Sequence, residues 1–190
     1  KPVNESWELG LKGNFQKQNA AVALKVAQLL IERGWGIKQD NLRKGLAETK
    51  WPGRLEIINF KNKKILIDSA HNSSAARVLS LERETWLNQE KGVYWILGVQ
   101  KQKNINLIIK NLIKPIDQVL LVPVPNQASW SLSDISRISD CKLENFIEFS
   151  NFKEALKYLN KLKEWPRCIP VLTGSIFLVS EFIQYAKINQ

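Results

Sequence analysis

The stretch Ile65-Leu66-Ile67-Asp68-Ser69-Ala70-His71-Asn72-Ser73-Ser74 sets a carboxylate, an imidazole and several hydroxyls directly after an apolar run. His71 is the only histidine in the chain. A carboxylate at the end of a buried strand can accept hydrogen bonds from ribose hydroxyls or hold the water of a cation. An imidazole there can bind an anionic group when protonated, or accept a proton. The plainer alternative is a strand-to-helix turn capped by Asn72 or Ser73. That alternative serves Asn72 and Ser73 equally well. Asp68 with His71 favours chemistry, because both polar groups terminate an apolar strand.

Four further places carry weaker signals. Thr173-Gly174-Ser175 lies between an apolar run and a helical pattern. Its glycine permits close backbone approach and the helix start offers free N–H groups to an anion, with Ser175 as a simple N-cap being an equal alternative. Gly98 to Asn104 carries Lys101 and Lys103, either of which could face phosphate, although a solvated loop is the better reading. Arg54 follows Pro52-Gly53, and an arginine held by a rigid turn suits bidentate phosphate recognition; a surface salt bridge is the ordinary alternative. Asn19 either reads a base or caps a helix. No GxxxxGK[ST] phosphate loop, no GxGxxG and no carboxylate cluster for Mg²⁺ is present.

These residues need elements to position them. The 190 residues are 44% apolar and 24% charged, an ordinary globular composition that excludes disorder as a description of the whole chain. No apolar run is long enough to span a bilayer. The net charge of +10 favours anionic partners, but the basic residues are scattered and no nucleic-acid motif appears. Cys141 and Cys168 have no metal-ligand spacing, and a reducing cytoplasm fits them better than a disulfide. The absence of methionine suggests a piece of a longer protein.

Periodicity predicts a helix over 17–33, ended by Gly34-Trp35-Gly36, and a short second helix capped by Asp40. Past Trp51-Pro52-Gly53 the texture changes. A hairpin is expected, with strands 55–60 and 64–68 around Lys61-Asn62-Lys63. Helices over 74–88, 105–112, 131–138, 152–162 and 176–186 then alternate with strands over 93–97, 119–122, 146–149 and 168–172. This pattern argues an α/β fold, Rossmann-like, with a mostly parallel sheet, one antiparallel strand and helices on both faces. Residues 1–50 stand outside the alternation as a helical lead-in. In such a sheet ligands bind beyond the carboxyl ends of the strands, which is where Asp68, His71 and Ser175 fall.

Gly13-Asn14-Phe15-Gln16-Lys17-Gln18-Asn19-Ala20-Ala21, Trp51-Pro52-Gly53-Arg54-Leu55-Glu56, Asp68-Ser69-Ala70-His71-Asn72 and Thr173-Gly174-Ser175-Ile176-Phe177-Leu178-Val179 occur in that order. Together they resemble the C-terminal portion of folylpolyglutamate synthase/dihydrofolate synthase, a family of the Mur ligase superfamily. The resemblance covers nearly the whole chain. It implies an ATP- and Mg²⁺-dependent ligase that phosphorylates a folate or dihydropteroate carboxylate and joins L-glutamate to the acyl phosphate. It implies that residues 1–50 are the tail of a preceding ATPase domain, which holds the phosphate loop and the Mg²⁺ ligands. Residues 51–190 would be the C-terminal ligase domain, inactive alone, with no nucleic-acid or membrane partner. Asn19, Arg54 and Asp68 would contact ATP, and His71 and Ser175 the glutamate; no catalytic or metal-ligating residue falls on the chain itself. The sequence departs from the family where Phe15 replaces a frequent His, Ser69 a Gly, Ser73 a Pro and Gln102-Lys103-Asn104 an Asp-Lys-Asp. Another Mur-type amino-acid ligase and a non-catalytic nucleotide or anion module are the alternatives.

Overall fold

A computed structural model describes residues 7–138 and 143–189. The chain divides into two compact units, Lys1–Leu55 and Glu56–Gln190. The first holds α1 (Phe15–Glu32) and α2 (Gln39–Glu48). Gly10 donates its N–H to Leu46 O, tying the lead-in to α2. Lys38 occupies the cap position of α2 in place of Asp40, which sits in the first turn, where its charge suits the positive end of the helix. Gln16 is the buried residue of α1, whereas Val22, Val26 and Leu29 are exposed.

The second unit is an α/β domain. Its strands are β1 (Glu56–Phe60), β2 (Lys63–Ile67), β3 (Tyr94–Leu97), β4 (Gln118–Leu121), β5 (Phe146–Glu148) and β6 (Val171–Thr173). They form one sheet in the order β1-β2-β6-β3-β4-β5. The β1–β2 pair is antiparallel and every other pair parallel. The hairpin turn is Lys61-Asn62 alone, because both residues take positive φ (48° and 60°), the twist that a two-residue hairpin needs.

Among the described residues five α-helices belong to this unit: α3 (Ser73–Arg83), α4 (Ile105–Leu112), α5 (Leu132–Ile138), α6 (Phe152–Lys161) and α7 (Ile176–Ile188). Side chains alternate across the sheet. Ile67, Ile96, Leu120 and Leu172 face Phe152, Leu156, Leu159, Leu178 and Phe182 of α6 and α7. Their neighbours Leu66, Trp95, Leu97, Val119, Leu121 and Val171 are buried too, and α3 packs on α4, and α4 on α5, to supply the opposite layer. Both faces are therefore covered, as a parallel sheet requires.

Two boundaries differ from expectation for physical reasons. β6 begins at Val171 rather than Cys168, because Pro170 has no N–H for the ladder. Helix α3 ends at Arg83 rather than Asn88, because Arg83 turns inward. Its guanidinium donates to both carboxylate oxygens of Asp117, at 2.7 and 2.5 Å, and both side chains are fully buried. Asp117 also accepts the N–H of Val93 and of Lys114 and the indole N–H of Trp95. The buried thiol of Cys168 lies nearby, and burial pushes its pKa up. Cys141 lies outside the described residues.

Deleting one partner of a buried ion pair leaves an uncompensated charge, and here three further donors, the N–H groups of Val93 and Lys114 and the Trp95 indole, as well. Asp117→Ala is expected to lower the unfolding free energy by about 3–5 kcal/mol in a urea titration. A loss typical of surface pairs, below about 1 kcal/mol, would contradict this role.

Candidate functional site

The carboxyl ends of β2 and β6 are neighbours in the sheet, and a set of short contacts joins the turns that follow them. The carboxylate of Asp68 accepts the Ala70 N–H at 2.9 Å, and the Asp68 N–H donates to Leu172 O. The Ala70 carbonyl accepts the Gly174 N–H at 3.0 Å and the Thr173 hydroxyl at 3.4 Å. Gly174 has φ +102°, and a Cβ there would lie 2.5 Å from the Gly98 carbonyl oxygen. Glycine is thus required both for its backbone angle and for the approach of the β3 and β6 turns.

This ledge holds Asp68, His71 and Ser175 together in the second unit. Asp68 is buried, and at least one of its carboxylate oxygens is engaged by the turn. His71 is half-buried, with Nδ1 2.9 Å from the Ser69 carbonyl oxygen. A carbonyl oxygen only accepts, so Nδ1 carries the proton and Nε2 is the nitrogen left for a ligand. Ser175 is buried and its hydroxyl accepts the Phe177 N–H as the N-cap of α7. Asn72 caps α3 through the Ala75 N–H. The structural role foreseen for Asn72 and Ser175 is therefore present.

The loop after β3 is pinned rather than simply solvated. Lys101 pairs with Asp134 at 2.5 Å and its amine stands 4.2 Å from the centre of the Trp130 ring. The Trp130 indole N–H donates to Lys103 O. The Lys101 ammonium, helped by the Ser131 hydroxyl and N–H, holds the Asp134 carboxyl well below the usual carboxylate range. Asn104 caps α4 by accepting the Leu107 N–H, a task an Asp performs equally well. Trp130 and Asp134 went unnoticed in the sequence, where the Trp-Ser-Leu-Ser-Asp run signals only a helix start.

Asn19 and Arg54 belong to the first unit. Asn19 is exposed at one rim of a mostly apolar cleft of about 190 Å³, walled by Leu11, Ala20, Ala23 and Leu46. Its amide donates to Gln16 Oε1 at 2.9 Å. Arg54 is half-buried after Gly53, whose φ is +73°. Among the described residues no three His, Cys, Asp or Glu side chains lie close enough to hold a metal ion.

Comparison with known proteins agrees with this architecture. Residues 54–185 match the family described as dihydrofolate synthetase, C-terminal domain. The chain is 30% identical over 181 residues to folylpolyglutamate synthase of Lacticaseibacillus casei, covering 91% of this chain and 39% of that protein. The crystal structure of folylpolyglutamate synthase from Thermotoga maritima superposes with a TM-score of 0.71 at 25% identity, over 98% of this chain and 42% of the other. The Mycobacterium tuberculosis folylpolyglutamate synthase complexed with ADP and AMPPCP has the same fold, with a TM-score of 0.76 at 22% identity over 93% of this chain and 41% of the other. The chain thus spans about two fifths of the length of the relatives it matches. A domain with this strand order, this ledge at the β2 and β6 ends and a match over most of its length belongs to the family of dihydrofolate synthetase C-terminal domains.

Proposed function

We propose that the chain is the C-terminal part of a cytoplasmic, ATP-dependent ligase that joins L-glutamate to a folate or dihydropteroate carboxylate. The observation that carries this reading is the family match over residues 54–185, which includes the strand-end ledge bearing Asp68 and His71. The reaction forms an acyl phosphate with release of ADP, and the glutamate amine then displaces phosphate to make the amide. The phosphate loop and the Mg²⁺ ligands belong, in this reading, to a preceding ATPase domain. Among the described residues no group of three His, Cys, Asp or Glu side chains could hold the ion. The exposed apolar stripe Val22-Val26-Leu29 of α1 suits a helix whose partner lies in that domain, which supports assigning residues 1–50 to its tail.

ATP fits the residues present. The apolar cleft beside Asn19 is the right chemistry for a purine, with an amide at its rim. Arg54 supplies a planar cation for phosphate, and Asp68 a carboxylate at a strand end for ribose. For glutamate, His71 offers Nε2 to a carboxylate when protonated. Ser175 acts on the same substrate through the start of α7, which it caps.

The test is glutamate-dependent ADP release by the full-length parent, with dihydropteroate and tetrahydrofolate as parallel acceptors. Turnover with either acceptor is expected. A folded parent that binds ATP and uses neither would shift the assignment to another Mur-type acceptor. The 190-residue chain alone is expected to release no ADP, since it has no phosphate loop.

Arg54→Ala in the parent is expected to raise KM for ATP roughly 10- to 100-fold, the scale of a lost charge-assisted hydrogen bond. Its thermal midpoint should stay within a few degrees of the parent. A variant that loses stability but keeps its ATP kinetics would refute the assignment of Arg54 to the nucleotide.

A further inference from the structure

A second crevice opens at the carboxyl edge of the same sheet, away from the β2–β6 ledge. The chain leaves β4 towards α5, on one face, and leaves β5 towards α6, on the other. Adjacent strands whose connections part to opposite faces leave a gap at their carboxyl ends, the place where open α/β sheets take ligands. That gap is a groove of about 740 Å³, bounded by the loop 123–127, the start of α6 and one side of α7.

The α7 side carries the chemistry. Phe177, Glu181 and Gln184 recur at the i, i+4, i+7 spacing of one helix face, and all three line the groove. Phe177 is 48% exposed, an unusual amount for a phenylalanine in a unit whose other described Phe side chains are buried or half-buried. Glu181 is half-buried, and among the described residues none hydrogen-bonds or ion-pairs with its carboxylate. Its carboxylate is thus left open to a donor that enters the groove. Asn126, held at φ +55° in the 123–127 loop, adds an amide across the groove.

A flat ring stacked on Phe177 would bring its edge to Glu181, one helical turn on. A carboxylate there asks for two adjacent N–H donors, because its two oxygens accept in parallel. We propose that this groove is a ligand site for a heteroaromatic ring with a 2-amino-4-oxopyrimidine edge, as in guanine and pterins. Glu181 accepts the ring N–H and the exocyclic amine, Phe177 stacks on the ring, and Gln184 and Asn126 meet its remaining polar atoms. None of Asn19, Arg54, Asp68, His71 and Ser175 lines the groove, and the proposal stands whether or not the ligase assignment holds.

Titration calorimetry of the 190-residue chain with guanosine, pterin and adenosine tests this. Guanosine, pterin or both should bind, and Glu181→Gln should weaken that binding about tenfold or more by setting an amide N–H₂ against the ligand's donors. Phe177→Ala should weaken it to a similar degree through the lost stack. Both side chains reach solvent, so the thermal midpoint of each variant should match the parent, which separates lost binding from lost folding. Adenosine lacks the paired donors, and any binding it shows should be indifferent to Glu181→Gln. Pterin alone would mark a folate-type ligand, guanosine alone a guanine nucleotide, and both a site that reads only the shared edge. Absence of binding by both, or binding unchanged in the two variants, would overturn the proposal.

Discussion

The buried carboxylate of Asp117 is the fixed point of the α/β unit. It accepts hydrogen bonds from Arg83 at the end of α3, from Val93 and Trp95 at the start of β3, and from Lys114 ahead of β4. A buried ion pair is poor evidence for net stability, because desolvation offsets much of the attraction, and Arg83 Nε is left without a partner. What the cluster supplies is registration. One small group fixes where three elements begin or end at the amino edge of the sheet. The heights of the opposite ends, where Gly98 and Val122 leave the strands, follow from that alignment.

At the carboxyl edge the constraint becomes one of polar satisfaction. Most polar residues there close turns or cap helices: Asn72 for α3, Asn104 for α4, Asn151 for α6 and Ser175 for α7. This explains how the loop Gln102-Lys103-Asn104 departs from an Asp-Lys-Asp pattern at little structural expense, since the cap needs only a side-chain oxygen. His71 differs from these residues. One of its nitrogens is fixed by the Ser69 carbonyl, and the other is free to act.

Much of the fold was legible because it follows from local rules. The strand and helix periods, the hairpin and the alternation of elements all express burial of one face or two. The boundaries that moved depend on distant partners. Nothing within residues 74–88 says that Arg83 will turn into the core, because its partner lies 34 residues away. Asp117, placed between Ile116 and Gln118, reads as a loop acid until β3 and β4 are set side by side. The site shows the same division. Asp68 and His71 declare themselves by ending an apolar strand, whereas Glu181 is one more charge on a helix until the parting of α5 and α6 opens a groove beside it.

Among the described residues strand β6 is the last of the sheet in chain order and one of the innermost, lying between β2 and β3, which do not pair with each other. Until residues 171–173 leave the ribosome, the hairpin and the β3–β4–β5 block have no strand to join them. The two halves of the sheet are thus joined only by a pairing that closes more than a hundred residues, a contact whose loop entropy slows folding. A premature stop ahead of residue 171 removes the keystone of the sheet rather than a dispensable segment.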